Sequence, residues 1–205
     1  MEAREERLKL DWVEYDAVKY ACLNWHYSHS IPAGKMVKIG VWEYGIFKGV
    51  VLFSRGANFS IAKPYGLNQS QVCELTRIAL THHHAPVTQI VSIAIKMLRK
   101  LCPDLKLIVS YADMDQGHEG KIYQAGNWVH EGLLKGVKMN SFILFGKKTH
   151  KKTIWGKYGV GSHKLDFLHK IDPTASVHLA KGKHKYVYVL DEKMRGDIMK
   201  RQKAF

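Results

Sequence analysis

The chain has 205 residues, of which 46% are hydrophobic, and it carries a formal net charge of +14. This length and apolar content predict one compact globular domain with a buried core, and they exclude a disordered or fibrous protein. No segment approaches the ~18 consecutive apolar residues of a membrane-spanning helix, so we expect no contact with a membrane. The charged N-terminus lacks the apolar core of a secretion signal, which predicts a cytoplasmic location.

The first third of the chain predicts a strand, a helix and a hairpin. Polar and apolar residues alternate over Arg7–Val13, as they do in a half-buried strand. Asp16 is a candidate N-cap for the helix that follows, because its apolar residues recur at helical spacing. Strands over Met36–Tyr44 and Gly49–Ser54 then form a hairpin, with its turn at Gly45–Lys48.

The middle of the chain predicts a polar loop, a strand, a helix and a buried strand. Residues 56–70 are the loop, and Gln71–Leu80 is the strand, with Cys73, Leu75 and Arg77 expected on one face. Pro86 opens a long amphipathic helix that ends before Pro103. Leu105–Ala112 is apolar throughout, as expected of a parallel strand that is covered on both faces.

The last part predicts a helix over Lys121–Asn127 and strands over Trp128–Leu134, Asn140–Phe145 and Lys185–Leu190. A basic segment near residues 146–184 is inserted before the last strand. The order of elements predicts a single α/β domain that spans the whole chain. Its sheet is expected to be mixed and mostly antiparallel, with a central parallel strand pair, flanking helices and a basic C-terminal insertion.

Positive charge is concentrated towards the C-terminus. Residues 146–205 contain 15 Lys and Arg against 5 Asp and Glu, whereas residues 1–145 contain 17 against 13. Aromatic residues and glycines punctuate this block, which predicts contact with nucleic acid; a merely solubilising surface is the alternative. The lysines expected to contact nucleic acid are Lys147, Lys148, Lys151, Lys152, Lys157 and Lys164.

A candidate anion site lies at the start of the long helix, in the sequence THHHAPVTQ. The first N–H groups of a helix have no partner within the helix, so Val87, Thr88 and Gln89 offer amides to a pyrophosphate. The preceding His82–His84 are either phosphate contacts or exposed loop residues. Consecutive histidines cannot all face one ion, and no second ligand cluster has suitable spacing, so we predict no metal site here.

Two further places carry candidate catalytic groups. Because the histidine side chain in general can take up a proton near neutral pH, His26 in NWHYSHS is a candidate proton acceptor, with Tyr27 beside it; a helix C-cap with an aromatic plug is the alternative. Arg77 lies in the apolar strand ELTRIAL and needs a partner if buried. Glu74 or Asp113 could supply that partner, and so could a phosphate or the substrate.

Asp113 and Tyr123 form the strongest candidate pair. Asp113 ends the apolar strand LIVSYAD at its carboxyl end, where ligand clefts in parallel sheets open, and Tyr123 lies on the next helix. Capping of the following helix is the alternative role for Asp113. Core packing is the alternative role for Tyr123.

The apolar strand, Asp113 and the sequence IYQAGNWVHEG together resemble the second half of the acyl-CoA N-acyltransferase (GNAT) fold. The resemblance implies that Tyr123 acts as a general acid beside an acyl thioester and that acetyl-CoA is the cofactor. This chain departs from the GNAT pattern at two places. Asn127 replaces the usual glycine before Trp128, and THHHAPVTQ replaces a glycine-rich cofactor loop.

Four motifs extend the resemblance to the Mom family of phage DNA modification proteins, over roughly residues 20–165. They are HYS, ELTR, SYAD and the segment that matches GxIYQAxNW. By motif match, the functional positions of the family fall on His26, Tyr27, Arg77, Asp113 and Tyr123. The resemblance implies an enzyme that converts adenine in double-stranded DNA to N6-methylcarbamoyladenine, shielding phage DNA from restriction nucleases in the host cytoplasm.

Simple acyl transfer does not explain a methylcarbamoyl product, so the resemblance leaves room for an iron-assisted step, for which the sequence shows no ligand set. Two other functions stay open at this point. One is an ordinary acetyl-CoA-dependent N-acetyltransferase of protein or RNA, and the other is a non-catalytic DNA-binding protein on an acyltransferase fold. The oligomeric state, a homodimer included, is also open.

Overall fold

The computed structural model describes residues 7–56, 60–135 and 141–203. The chain divides into two compact units, the first formed by residues 1–112, 120–132 and 185–205 and the second by residues 113–119 and 133–184. The sequence predicts one domain with an insertion near 146–184, and much of that insertion belongs to the second unit. No helix of the described residues is long and apolar enough to cross a lipid bilayer.

The described residues form ten strands and six α-helices. The strands are β1 Lys9–Trp12, β2 Met36–Glu43, β3 Ile46–Ser54, β4 Val72–Leu80, β5 Leu107–Asp113, β6 Val129–Leu134, β7 Ser141–Leu144, β8 Lys147–His150, β9 Ser176–His178 and β10 Lys183–Val189. The helices are α1 Tyr15–Trp25, α2 Val87–Leu101, α3 Lys121–Gln124, α4 Lys151–Tyr158, α5 Leu165–Ile171 and α6 Arg195–Met199.

The main sheet has seven strands in the order β1-β2-β3-β4-β5-β10-β6. The first four strands are antiparallel neighbours, and β4 and β5 are parallel. The predicted mixed sheet with its parallel pair is therefore confirmed. The predicted strand over Asn140–Phe145 corresponds to β7, which joins a different sheet, and Asn140 lies outside the described residues.

The β2–β3 hairpin turns earlier than predicted. Tyr44 and Gly45 are its two loop residues, and both have positive φ angles, 50° and 75°. Two consecutive left-handed residues define the tight turn that matches the twist of antiparallel strands. Strand β3 therefore begins at Ile46 instead of Gly49, because Ile46 and Phe47 pair with the end of β2.

The parallel strands β4 and β5 diverge after a short paired stretch. They pair only at Val72–Leu107, Cys73–Ile108 and Glu74–Val109. In the same part of β4 the register with β3 shifts, so that Thr76 is an extra residue between Leu75 and Arg77. A bulge of this kind bends its strand and reverses the side-chain alternation beyond it.

Because of the bulge, Arg77 does not lie on the predicted face of β4. Leu75 and Ile78 both contribute to the core that includes Ile90 and Leu98 of α2. Ala79 packs instead beneath α1, and the charge of Arg77 acts on Cys22 of α1. Arg77 therefore lies on the face opposite Leu75, because the extra residue shifts the two-residue alternation of the strand.

Within the predicted polar loop at residues 56–70, residues 57–59 lie outside the described residues, and residues 60–70 are more structured than their composition suggests. Ile61, Ala62 and Tyr65 are buried in a core that also contains Ile198 of α6. The Tyr65 hydroxyl donates to the Glu131 carboxylate at 2.7 Å, and Lys185 contacts the same carboxylate at 2.8 Å. Polar composition failed as a guide because three apolar side chains are enough to anchor the segment.

The second unit contains a three-stranded sheet in the order β8-β7-β9 together with α4 and α5. Its core is made of Phe142, Leu144, Ile154, Leu168 and Ala175. The basic segment is therefore folded around apolar residues of its own. Its lysines project from an ordered scaffold instead of a solvated tail.

Asp115 holds three parts of the second unit together. Its side chain, only 8% exposed, contacts Lys148 of β8 and His178 of β9, and it accepts the backbone N–H of Lys181. Burial alone would raise the pKa of this carboxyl, but the hydrogen bonds from His178 and Lys148 outweigh burial and hold its pKa well below the usual value. Asp115 therefore stabilises the folded unit when it is ionised.

Replacing Asp115 by Asn should reduce both stability and its dependence on pH. Because the folded pKa lies below the ordinary value of 3.8, the contribution of Asp115 is complete well above 3.8 and is lost progressively as the pH falls from 3.8 towards the folded pKa. We expect Asp115→Asn to cost about 1–3 kcal/mol at pH 7. The test is thermal unfolding between pH 7 and pH 3, where the variant should lose less stability than the parent. Asp11→Asn, at an exposed ion pair with Lys9, is the matched control. Parallel pH profiles for parent and Asp115→Asn would contradict this role.

Candidate active site

Tyr123 is held by aromatic packing in the first unit. Its ring stacks on Tyr186 with the ring centroids 4.9 Å apart, and it meets Trp128 edge-on at 5.1 Å. Gly120 precedes the helix with φ of 78°, and a Cβ there would lie 2.3 Å from the Tyr186 ring. A glycine is therefore required at 120 for α3 to place Tyr123 on Tyr186.

Asn127 explains one departure from the GNAT pattern. Its φ of 62° lies in the left-handed region, where glycine is the usual residue and asparagine is the next most tolerant. The chain turns here from α3 into β6, and Trp128 follows directly. Asparagine therefore preserves the backbone conformation that the family's glycine supplies.

The Tyr123 hydroxyl lies at the point where β4 and β5 separate. Its oxygen is 2.8 Å from Ser110 Oγ, which is 3.0 Å from the carbonyl oxygen of Leu75. Burial raises the pKa of Tyr123 to about 12, the contact with Ser110 lowers it, and the nearby Tyr27 and Glu74 act in the same direction as burial. The phenol therefore keeps its proton at neutral pH, as a general acid must.

A cavity of about 320 Å³ opens beside Tyr123. It lies between the start of α2 and the segment from α3 to Trp128. The side chains that line it are mixed, with polar groups from α2 and aromatic groups from the sheet. Its lining includes Pro86, Thr88, Gln89, Tyr123, Trp128 and Tyr188.

The start of α2 offers fewer free amides than predicted. Val87 and Thr88 are the first two helical residues, so their N–H groups have no acceptor within the helix. The N–H of Gln89 instead donates to the carbonyl oxygen of Pro86 at 2.9 Å. Gln89 therefore contributes its side chain to the cavity, and its amide is engaged within the protein.

The loop before α2 is fixed by a buried carboxylate. Glu43 of β2 is 2% exposed and accepts the backbone N–H groups of His84 and Ala85, at 2.9 Å and 2.5 Å for the shortest contacts. Burial alone would raise the pKa of Glu43, but these amides lower it below the usual value. An ionised side chain thus orders a loop that lacks glycines.

His26 and Tyr27 lie together at the end of α1. Their rings are 4.1 Å apart, and His26 is 7% exposed. The backbone N–H of Ser28 donates to His26 Nδ1 at 3.1 Å, so the neutral ring carries its proton on Nε2. In this geometry Nε2 carries the proton, and the ring can accept a second proton only if the Ser28 loop releases Nδ1. His26 also follows α1 as its C-cap residue.

Arg77 has no carboxylate partner within the described residues. Its Nη1 donates to the carbonyl oxygen of Thr76 at 2.7 Å, and its Nε is buried without an acceptor in that part of the chain. The two internal partners considered from the sequence, Glu74 and Asp113, are not ion-paired with it there. A buried donor of this kind is suited to an anionic or carbonyl oxygen from outside the protein.

Asp113 belongs to the second unit, and both of its carboxylate oxygens have partners there. One carboxylate oxygen accepts the backbone N–H of Asp115 at 3.0 Å and caps the short 3-10 helix at residues 114–116. The other forms an ion pair with Lys183 at 3.1 Å. The capping role considered from the sequence is present, and the catalytic role stays a prediction.

The six predicted DNA-contacting lysines differ in their surroundings. Lys148 forms an ion pair with Asp115, and its contact with DNA stays a prediction. Lys151 and Lys157 of α4 lie over the Trp155 and Tyr158 rings, with distances to the centroids of 5.6 Å and 5.1 Å. Lys147, Lys152, Lys157 and Lys164 are exposed. No three His, Cys, Asp or Glu side chains converge as a metal site in the described ranges.

Sequence reasoning missed two residues of this site. Ser110 is a polar residue inside the apolar strand LIVSYAD, and Glu43 is an acid at the end of the apolar strand β2. Ser110 was detectable as a polar residue that follows three buried apolar ones, and Glu43 as an acidic residue at the end of a mostly apolar strand. Neither partner could be identified, because Leu75, Tyr123 and His84 are 13 to 41 residues away along the chain.

The mixed sheet, with its diverging strands β4 and β5, has the acyltransferase-like GNAT fold. A point mutant of SpeG spermidine N-acetyltransferase from Vibrio cholerae superposes with a TM-score of 0.52 and 10% identity, covering 89% of this chain and 94% of that one. The yncA structure from Salmonella typhimurium, which contains acetyl-CoA, has a TM-score of 0.51 and 9% identity, covering 91% and 96%. A ribosomal-protein-S5-alanine acetyltransferase from Vibrio fischeri has a TM-score of 0.51 and 11% identity, covering 91% and 95%.

The model of the Mom protein family matches residues 7–205. The chain therefore belongs to the Mom family, which confirms the resemblance drawn from its motifs. No curated protein sequence matches it significantly.

Proposed function

We propose that this protein is a DNA-modifying enzyme that converts adenine to an N6-methylcarbamoyl derivative and thereby protects phage DNA from restriction. The observation that carries the proposal is the Mom family match over residues 7–205. It is supported by a fold shared with acetyltransferases and by a net charge of +14. Double-stranded DNA is the proposed partner.

Acetyl-CoA is the proposed cofactor, and the residues of the first unit fit it. The cavity beside Tyr123, the free amides of Val87 and Thr88, and the diverging β4 and β5 provide room and hydrogen-bond donors. When bound, this cofactor would supply the two-carbon acyl group as a thioester, and the additional N–H unit of the methylcarbamoyl group would have to come from a separate amine-level nitrogen donor. A phosphate on the Val87 and Thr88 amides would also gain from the dipole of the 15-residue α2.

The chain's own groups then have defined tasks. Tyr123 holds a proton on its phenol oxygen and gives it to the departing group. Arg77 offers its buried Nε–H to developing negative charge. Asp113 or His26 takes the proton of the adenine amine. For His26 this requires that the loop at Ser28 first release Nδ1.

The second unit is proposed to hold the DNA. The exposed lysines of the segment 147–164 would neutralise phosphates, while Lys148 remains bound to Asp115. The exocyclic amine of adenine is inaccessible inside a duplex, so the base must be flipped into the site at a cost of a few kcal/mol. Electrostatic attraction between these lysines and the flanking phosphates offsets part of that cost.

The decisive experiment is mass spectrometry of nucleosides from DNA of cells that express this protein. A methylcarbamoyl group exceeds an acetyl group by one N–H unit, so the two adenine products have different masses. We expect the heavier derivative. Detection of N6-acetyladenine would instead indicate simple acyl transfer to adenine. Unmodified DNA together with acetylated protein or RNA would favour an ordinary N-acetyltransferase. Unmodified nucleic acid and protein, with no heat of binding on acetyl-CoA titration, would indicate a non-catalytic DNA-binding protein.

Glu43→Ala tests whether the loop before α2 serves the cofactor. Without the carboxylate, the amides of His84 and Ala85 lose their buried acceptor, and the loop is no longer fixed. We expect affinity for coenzyme A to fall about tenfold, which corresponds to about 1.4 kcal/mol, by titration calorimetry. Glu192→Ala, at an exposed ion pair with Arg195, is the control. Unchanged affinity for coenzyme A in Glu43→Ala would show that the loop ordered by Glu43 does not contribute to cofactor binding.

A further inference from the structure

Ser110 occupies the vertex of the opening between β4 and β5. The last paired residues are Glu74 and Val109, so Leu75 and Ser110 are the first residues beyond the ladder. The Leu75 carbonyl has lost its place in the parallel pairing, and Ser110 Oγ lies 3.0 Å from it. Ser110 is 1% exposed and Leu75 is 4% exposed, so water does not compete for this contact.

Three oxygen atoms are in successive contact at this point, and two protons are available for the two contacts. The Leu75 carbonyl oxygen can only accept, whereas the hydroxyls of Ser110 and Tyr123 carry one proton each. Both contacts are hydrogen bonds only if Tyr123 donates to Ser110 and Ser110 donates to Leu75. The reverse orientation would leave the buried carbonyl without this donor, which is unfavourable.

This order of protons must change when Tyr123 loses its own. A phenolate can only accept hydrogen bonds, so the Ser110 O–H has to rotate from the Leu75 carbonyl to the phenolate oxygen. The Oγ–Oη distance of 2.8 Å allows this without movement of either residue. No covalent bond other than the O–H bond of Tyr123 is broken, and that proton leaves with the group it protonates.

We propose that Ser110 is the positioning residue for Tyr123, accepting its hydrogen bond while the phenol is neutral and donating to the phenolate oxygen after the proton has left. The proposal rests on the proposed function only for the destination of the proton. The coupling between the two hydroxyls is a property of the protein by itself. It can therefore be measured without cofactor or DNA.

The test is a titration of 3,5-difluorotyrosine placed at position 123, whose phenol is acidic enough to follow by absorbance in the folded protein. In Ser110→Ala the phenolate loses its donor, and hydrogen bonds to charged groups are worth about 1.5–3 kcal/mol. We expect the pKa at position 123 to rise by about one to two units. Ser110→Thr keeps the hydroxyl and should restore the value of the parent protein.

Ser54→Ala is the matched control, because Ser54 is also buried and its Oγ accepts the backbone N–H of Gly56 at 3.0 Å. It should leave the titration unchanged. Circular dichroism and thermal unfolding verify that each variant is folded. If Ser110→Ala does not fold, Ser110→Cys, a weak donor of similar size, should give a shift between those of Ala and Thr.

Equal titrations of the parent and Ser110→Ala proteins would overturn the inference, and so would a shift that Ser110→Thr does not reverse. Nucleoside mass spectrometry tests the proposed function separately. A shifted titration with unmodified DNA would support the role of Ser110 and contradict the proposed reaction. Modified DNA with an unshifted titration would support the reaction and contradict the role of Ser110.

Discussion

Replacing Tyr123 by Phe should reduce adenine modification by about a hundredfold to ten-thousandfold, the range that a positioned general acid contributes. The ring keeps its packing on Tyr186 and Trp128, and Ser110 can still donate to the Leu75 carbonyl. Only the proton source is removed, so the fold should persist. The measurement is the amount of modified adenine per total adenine over a time course, with thermal unfolding as the check of structure.

Tyr65→Phe is the matched control for this prediction. Tyr65 is also a buried tyrosine of the first unit, and its hydroxyl is hydrogen-bonded to Glu131 at 2.7 Å. Removing that hydroxyl should cost a comparable stability, about 1 kcal/mol, while modification continues. Full activity in Tyr123→Phe would show that the proton comes from elsewhere. Equal losses in both variants would indicate a general effect of destabilisation.

Neutralising the exposed lysines of the second unit should flatten the salt dependence of DNA binding. For duplex DNA, log affinity falls with log salt by about 0.9 for each phosphate that a protein neutralises. Changing Lys152, Lys157 and Lys164 to Ala should therefore lower the slope by about 2.7 if each meets one phosphate. Fluorescence anisotropy with labelled duplex at several salt concentrations gives the slope directly.

The control removes the same charge from the first unit. Lys19, Lys96 and Lys100 are exposed lysines on α1 and α2, and changing them to Ala should leave the salt slope almost unchanged. Lys148→Ala is expected to destabilise the protein through Asp115 and to leave the slope unchanged as well. Equal slopes for the two triple variants would mean that net charge, and no particular surface, governs DNA binding.

Local signals in the sequence were sufficient for most of the secondary structure. Pro86 and Pro103 bracket α2 as predicted, and the apolar run that became β5 has the buried character of a parallel strand. Errors arose where a single residue changed the geometry. The bulge at Thr76 placed Arg77 on the opposite face, and the Tyr44–Gly45 turn began β3 three residues early.

The candidate site was likewise predicted only in part from the sequence. His26, Tyr27, Arg77 and Tyr123 were identified from motifs, but the tautomer of His26 depends on an N–H from Ser28. Similarly, the predicted amide of Gln89 is used within its own helix. Whether a polar group is free or engaged depends on the donors and acceptors that folding brings to it.

The amino-acid sequence alone determined the mixed α/β class, the Mom family motifs and the basic C-terminal block, because periodicity, capping residues and charge are read over short stretches of chain. Only the tertiary structure decided that Ser110 joins Leu75 to Tyr123, that Glu43 orders the loop before α2, and that Lys148 is neutralised by Asp115. Each of these contacts joins residues 13 to 41 positions apart. Strand register and packing bring such residues together, and neither is encoded in the neighbourhood of any one of them.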